Sequence, residues 1–231
     1  MDTQETIVMS VGGSMIVPDE IDTNFLHAFK KLILEEIDNS KHFVVITGGG
    51  KVCRRYQDAA RELDCHDNTE LDWIGIAATQ INGRLMHSVF YDIAYEDMII
   101  NPAHVLDVPL EEKLIVATGF VPGASSDLRA IQIADHRSAT KVINLSNTDY
   151  VYTDDPRKNP DAEKLEDVTW DQFRGLIPDE WDPGLSTPFD PVAAKMAQEK
   201  NIEVANINGA KLDELKNYIE GKPFVGTRIH N

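Results

Sequence analysis

Four short segments of this chain place glycine and small polar residues where an anion could be held. They are Gly12-Gly13-Ser14, Gly48-Gly49-Gly50, Gly119 with Pro122-Gly123-Ala124-Ser125-Ser126, and Asn147-Thr148-Asp149. Glycine has no Cβ, so a phosphate can approach the backbone N–H groups closely. A helix that starts beside such a loop adds its positive end. At Gly12-Gly13 alone, a plain tight turn explains the residues. Three consecutive glycines between an apolar run and a helix spend much conformational entropy, and a phosphate or nucleotide role accounts for that better. Neither G-x-G-x-x-G nor G-x-x-x-x-G-K-[ST] is present, so dinucleotide and Walker A sites find no support. Arg54 lies one helical turn after Gly50, and its fork of donors suits a phosphate. Lys51 and Arg55 read as a solvated basic face.

Candidate acids are Asp72, Asp127, Asp149, Asp155 and Asp190, drawn from 39 acidic residues. Asp190 precedes Pro191, and an N-cap followed by proline at the first helical position explains that pair by itself. Asp149 and Asp155-Pro156 fit turns. The seven histidines form no H-x-x-x-H pair, so metal ligation by histidine is not expected, and no metal-ligating residue is assigned. Ser14, Ser125 and Ser126 lack a histidine pattern that would make a nucleophile. Cys53 and Cys65 are not spaced as C-x-x-C, which argues against a zinc ribbon or thioredoxin site and for a reducing, cytoplasmic location.

The elements that must position these residues alternate. Thr6–Val11 and His42–Thr47 read as buried strands, each entering a glycine turn. A helix from about Asp22 to Asp38 carries Phe25, Phe29, Leu32, Ile33 and Ile37 on one face, with Asp22 as its cap. A helix after Gly50 carries Val52, Tyr56, Ala59, Ala60 and Leu63 on one side. A longer one from about Thr69 to Tyr91 has Leu71, Ile74, Ala78, Ile81, Leu85 and Val89 as its stripe and Thr69 as a candidate cap. Lys113–Thr118 and Lys141–Leu145 are strands around a helix that starts at Ser126 or Asp127. The stretch 92–112 fits one short strand and loops. From Asp154 to Pro191 the Asp, Pro and Gly content predicts loops with a short helix near Thr169–Leu176. Helix, strand, helix and a closing strand follow at about Pro191–Lys200, Ile202–Ile207, Leu212–Glu220 and Gly226–Ile229. The alternation predicts an α/β fold with a mostly parallel sheet, and in such sheets ligands sit beyond the carboxyl ends of the strands.

Composition bounds the partners. The chain has 231 residues, enough for a sizeable core. Its net charge of −17 argues against broad binding to nucleic acid or an anionic membrane. It does not oppose one small anion held by backbone dipoles. No apolar run reaches the roughly 20 residues of a membrane-spanning helix, and Met1-Asp2-Thr3-Gln4-Glu5 has no basic, signal-like character.

Six motifs in order resemble the amino acid kinase superfamily and, within it, the uridylate (UMP) kinases of the archaeal type. These are Val11-Gly12-Gly13-Ser14; Thr47-Gly48-Gly49-Gly50-Lys51 with Arg54-Arg55-Tyr56; and Asp72-x-x-Gly75-Ile76-x-Ala78-Thr79-x-x-Asn82. Then come Gly119-Phe120-x-Pro122-Gly123-x-Ser125-Ser126-Asp127, the stretch Asn147-Thr148-Asp149-x-Val151-Tyr152-Thr153-x-Asp155-Pro156, and Phe189-Asp190-Pro191-x-Ala193-Ala194-Lys195. The resemblance implies a three-layer α/β/α sandwich forming a single domain. Its acceptor-binding part would span about 1–140 and its ATP-binding part about 141–231. It implies transfer of the ATP γ-phosphoryl group to UMP with Mg²⁺, in pyrimidine nucleotide synthesis, by a homo-oligomer, commonly a hexamer, with the early helices at the dimer contact. By resemblance, Gly13, Ser14, Gly50 and Arg54 face the ATP phosphates, while Ser146, Asn147, Tyr152 and Asp155 line the adenosine side. Gly49, Asp72 and the loop Gly119, Phe120, Val121, Pro122, Gly123, Ala124, Ser125 and Ser126 hold UMP. Asp190, with Arg54, serves the catalytic centre. The sequence departs from the family at Ser10 and Asn147, where relatives often carry lysine, and at Tyr150, usually glycine. Arg129, Gln132 and His136 make the helix after the acceptor loop more polar than usual. A sister small-molecule kinase and a non-catalytic nucleotide sensor or storage protein are the competing readings.

Overall fold

A computed structural model describes residues 5–156, 158–179 and 187–231. The N-terminal reading at Met1–Gln4 and part of the 154–191 stretch lie outside the described residues. The chain order is β1 (Thr6–Val11), α1 (Gly13–Ile16), α2 (Thr23–Asp38), β2 (His42–Thr47), α3 (Gly50–Glu62), α4 (Asn68–Val89), a 3-10 helix (Pro102–Asp107), β3 (Leu114–Ala117) and α5 (Ser126–His136). It continues with β4 (Lys141–Ser146), β5 (Val151–Tyr152), β6 (Lys164–Leu165), β7 (Asp167–Thr169), α6 (Trp170–Arg174), α7 (Pro191–Glu199), β8 (Glu203–Asn208), α8 (Leu212–Ile219) and β9 (Thr227–His230).

Seven strands form one sheet in the order β3-β2-β1-β4-β8-β9-β7, and β5 pairs with β6 separately. All pairings from β3 to β8 are parallel, and only β9 runs against β8. The chain therefore builds β1, β2 and β3 outward on one side, then returns to lay β4 against the other side of β1. That reversal opens a crevice at the carboxyl ends of β1 and β4.

Strand residues alternate between two apolar layers, as a sheet covered on both faces requires. Val8, Val44, Ile115 and Val142 pack with α5, α6 and α7 through Ile131, Trp170 and Ala194. Met9, Val45, Val116 and Ile143 pack on the other face with Phe29, Ile33, Met86 and Leu215 of α2, α4 and α8. The result is a three-layer sandwich.

Several local expectations shift. Asp67 rather than Thr69 caps α4, its carboxylate accepting from Glu70 N. The buried face of α4 is Leu71, Ile76, Ala78, Asn82, Gly83 and Met86, and Ile81 is 65 % exposed. The apolar stripe read from the sequence is thus rotated, because the inner face must meet two loops with polar and small residues. On α3, Tyr56 and Leu63 are exposed and only Gln57 is fully buried; Val52 packs half-buried against the core, so the stripe meets this chain's core at Val52 but not at Tyr56 or Leu63. The 92–112 stretch contributes two single bridges beside β3, at Ala94 and Ile99, and the 3-10 helix. The 154–191 stretch also contains β6 and β7, the latter completing the sheet. Strands of two and three residues leave too little pattern to read.

Candidate active site

The parallel register carries Gly12, Gly48, Gly119 and Ser146 to the same end of the sheet. Gly12-Gly13 is more than a turn. A Cβ on Gly13 would lie 2.3 Å from Gly50 N, and one on Gly50 would lie 2.4 Å from the Gly13 carbonyl carbon. The two glycine segments press backbone to backbone, and Gly50 adopts φ +62°, a conformation few residues accept. Gly12 N donates to Leu145 O and Gly48 N to Val11 O, tying both segments to the sheet. No side chain caps α3, so the N–H groups of its first turn remain for an anion.

Helix α4 holds this junction from above. Asn82, buried, donates from Nδ2 to Gly48 O at 2.8 Å. Thr47 Oγ1 donates to Thr79 O, and Thr79 Oγ1 accepts from Gly119 N at 2.9 Å. Asn82 therefore holds the glycine junction, and Thr79 joins the strand end at Thr47 to the loop 119–125. The sequence marked both as motif residues but gave them no role, since a mid-helix Thr or Asn has no signal of its own.

The loop 119–125 is held by side chains. Asp72 Oδ2 accepts from Gly123 N at 2.7 Å. Burial pushes the Asp72 carboxyl above the usual range, and the Gly123 bond opposes this. Gly123 has φ +83° with nothing near the position of a Cβ. Ser125 Oγ caps α5 by accepting from Leu128 N, so its proton remains available to a ligand. Phe120 lines an open groove of about 510 Å³ with Tyr95, Met98 and His104.

Beneath the glycine junction, α5 and α7 both begin. Asp190 caps α7, with Oδ1 accepting from Ala193 N at 2.8 Å. Capping explains only that oxygen. Asp190 is buried, and among the described residues its Oδ2 has no hydrogen-bond partner. Asp127 Oδ1 accepts from Ser10 Oγ at 2.9 Å and Oδ2 from Asp190 N at 3.3 Å. Burial, reinforced by the nearby Asp190 charge and opposed by the Ser10 bond, pushes Asp127 up to about 6. Ser10 therefore serves Asp127, which the sequence noted as an acid without a role.

The cations divide. Lys51 and Arg55 both pair with Asp19, in keeping with a solvated basic face. Arg54 is exposed on α3, and among the described residues neither it nor Lys195 makes an ion pair. On the β4 side, Ser146, Asn147, Tyr152 and Asp155 follow the strand end. Asp149 is fixed by Asn208 and Lys211 at 2.8 Å each, and Tyr150 meets Tyr152 edge-on with Lys164 over its ring. Burial raises the Cys53 thiol, and both cysteines are free.

A mostly parallel sheet with glycine-bearing loops gathered at one reversal point defines the class as a doubly wound α/β protein. The chain belongs to the amino acid kinase family, whose model matches residues 5–208. Within that family it is 32 % identical over 217 residues to the uridylate kinase of Thermococcus kodakarensis, covering 94 % of this chain and 96 % of that one. It is 33 % identical to the uridylate kinase of Thermococcus onnurineus over the same shares. Among solved structures, the uridylate kinase of Archaeoglobus fulgidus superposes with a TM-score of 0.82 at 28 % identity, covering 96 % of this chain and 99 % of that one.

Proposed function

We propose that this chain is an ATP-dependent UMP kinase that moves the γ-phosphoryl group of ATP to the phosphate of UMP, giving UDP in pyrimidine nucleotide synthesis. The observation that carries the reading is the backbone contact between Gly13 and Gly50 beside a second loop tied to the strand end at Thr47 through Thr79. Phosphoryl transfer needs two phosphates aligned and their charge offset, with no protein nucleophile. The acceptor-binding part is about 1–140 and the ATP-binding part about 141–231.

Gly13, Ser14, Gly50 and Arg54 face the ATP phosphates, and the first-turn N–H groups of α3 take part of the charge. Ser146, Asn147, Tyr152 and Asp155 line the adenosine side. Gly49, Asp72 and the loop Gly119–Ser126 take UMP, with Asp72 near the ribose and the Ser125 hydroxyl as a donor. Asp190 orders the centre, and Asp127 holds Asp190 by its backbone N–H.

Mg²⁺ accompanies ATP. Among the described residues no three His, Cys, Asp or Glu side chains gather, so the protein offers no closed cage. A buried carboxylate oxygen without a partner among the described residues, Asp190 Oδ2, is nonetheless a ligand of the kind Mg²⁺ accepts alongside substrate phosphates. Asp190 would hold the ion with Asp127 beside it, and the bound ion would neutralise charge on the phosphates.

Exposed Tyr56, Leu63, Trp73 and Ile81 leave apolar surface on α3 and α4, which supports a homo-oligomer with the early helices in contact, a hexamer by family resemblance. No described helix is long and apolar enough to cross a membrane, and the chain's −17 charge fits small-molecule rather than nucleic-acid partners. A cytoplasmic site of action accords with two free cysteines.

The test is ADP release with ATP and Mg²⁺ against UMP, CMP, dUMP, AMP and acidic amino acids. Release that requires UMP is expected, and Asp190→Asn should abolish it while ATP still binds by calorimetry. Silence with every acceptor would overturn the reading.

A further inference from the structure

Arg129 presents a buried charge that the fold does not explain. It is 4 % exposed, and among the described residues no carboxylate pairs with it. Its Nη1 donates to Gln132 at 2.8 Å, its Nη2 donates to Val121 O at 3.2 Å, and its Nε has no partner among the described residues. The guanidinium also lies over the Phe120 ring, 5.7 Å from the centroid. Burial lowers its basicity.

Arg137 gives an internal control. It lies on the same helix, donates to Val108 O and Pro109 O, and also has an unpartnered Nε. Arg137 is the C-cap of α5, where the negative end of the helix dipole favours a cation. Arg129 is the fourth residue of α5, near the positive end, where the dipole disfavours one. Asp127, the acid in that first turn, is turned to Ser10 and Asp190 instead. A guanidinium desolvated at the wrong end of a helix is costly unless an anion arrives. Its Nη2 hydrogen bond and its ring contact both go to the loop that the proposed UMP site uses.

We propose that Arg129 is a positioning residue for the acceptor: it fixes the loop through Val121 O and Phe120, and its unpaired charge favours a phosphorylated acceptor there. This rests on the UMP reading above. In a chain of net charge −17, a buried cation draws a dianion inward where bulk salt screens it little. Phe120 and Val121 are thereby held from behind, while Asp72 holds Gly123 from the other side of the loop.

The experiment compares the parent with Arg129→Met and Arg129→Lys. Half-saturation is measured for UMP and ATP separately, and binding of UMP and of uridine by calorimetry. Arg129→Met is expected to raise the UMP value by about tenfold, the scale of a lost charged hydrogen bond, and to leave the ATP value within about twofold. It should also shrink the preference for UMP over uridine, and Arg129→Lys should recover most of that preference. Equal shifts for ATP and UMP, or an unchanged UMP-to-uridine ratio, would overturn the proposal. If Arg129→Met does not fold, the same ratio in Arg129→Lys at rising salt decides: a preference that falls steeply with salt belongs to exposed groups and overturns it. A parent that binds no UMP would instead refute the functional reading itself.

Discussion

The glycine junction and the loop 119–125 are both glycine-bearing segments at the carboxyl end of the sheet, yet they are built in opposite ways. At the junction, backbone meets backbone: Gly13 and Gly50 leave no room for a Cβ on either side. In the loop, Gly123 faces open space, and the path is set by Asp72, Thr79 and Arg129 reaching in from α4 and α5. The first region is set chiefly by main-chain sterics, with Asn82 bonding Gly48 O beside it, and neither Gly13 nor Gly50 has room for a Cβ without a backbone shift. The other is fixed by side chains, so its shape can be tuned one residue at a time.

The comparison can be broken most severely at Gly13. Gly13→Ala must push apart two backbone segments, and a loss above about 4 kcal/mol is expected, enough to abolish folding or all turnover. Normal melting and activity would show that the two segments are not mutually locked. Next, Asp127→Asn removes a charge whose folded pKa is raised from 3.8 to about 6. A raised pKa means the ionised form destabilises the fold. Asp127→Asn should therefore stabilise the protein at pH 7, by up to about 3 kcal/mol, while turnover falls. The gain should fade as pH drops from about 6 toward 4, where the parent carboxyl is also neutral. A gain that persists at pH 4, seen by denaturant unfolding, would remove the charge explanation.

A smaller, more selective effect is expected at Asp72. Asp72→Ala frees Gly123 N and should raise UMP half-saturation by about tenfold with little change for ATP. Equal changes would undo the assignment of the loop to the acceptor. The mildest is Gly123→Ala, which meets no atom but keeps φ at +83°. It should cost only about 1 kcal/mol in melting. A collapse comparable to Gly13→Ala would erase the distinction between the two regions.

Much of the scaffold was legible in the residues. The strands Thr6–Val11 and His42–Thr47 and the helix capped by Asp22 follow directly from apolar runs, period and cap chemistry. So does the Asp190-Pro191 helix start. The order of the glycine segments pointed to phosphate. The inner face of α4 was not legible, because Asn82 and Gly83 are buried by loops distant in sequence, and periodicity counts only apolar residues. Nor was β7, whose three residues join the sheet through β9, about sixty positions away.

Sequence alone determined the alternation of elements, the turn-forming glycines and the set of polar residues near them, since these depend on local propensity and spacing. Only the tertiary structure decided that Gly13 and Gly50 exclude each other's side chains, that Asp127 accepts from Ser10 and from Asp190 N, and that Arg129 is buried with no acid beside it among the described residues. Those facts depend on close contact between segments far apart in the chain, where desolvation and exclusion act between atoms that no local pattern brings together.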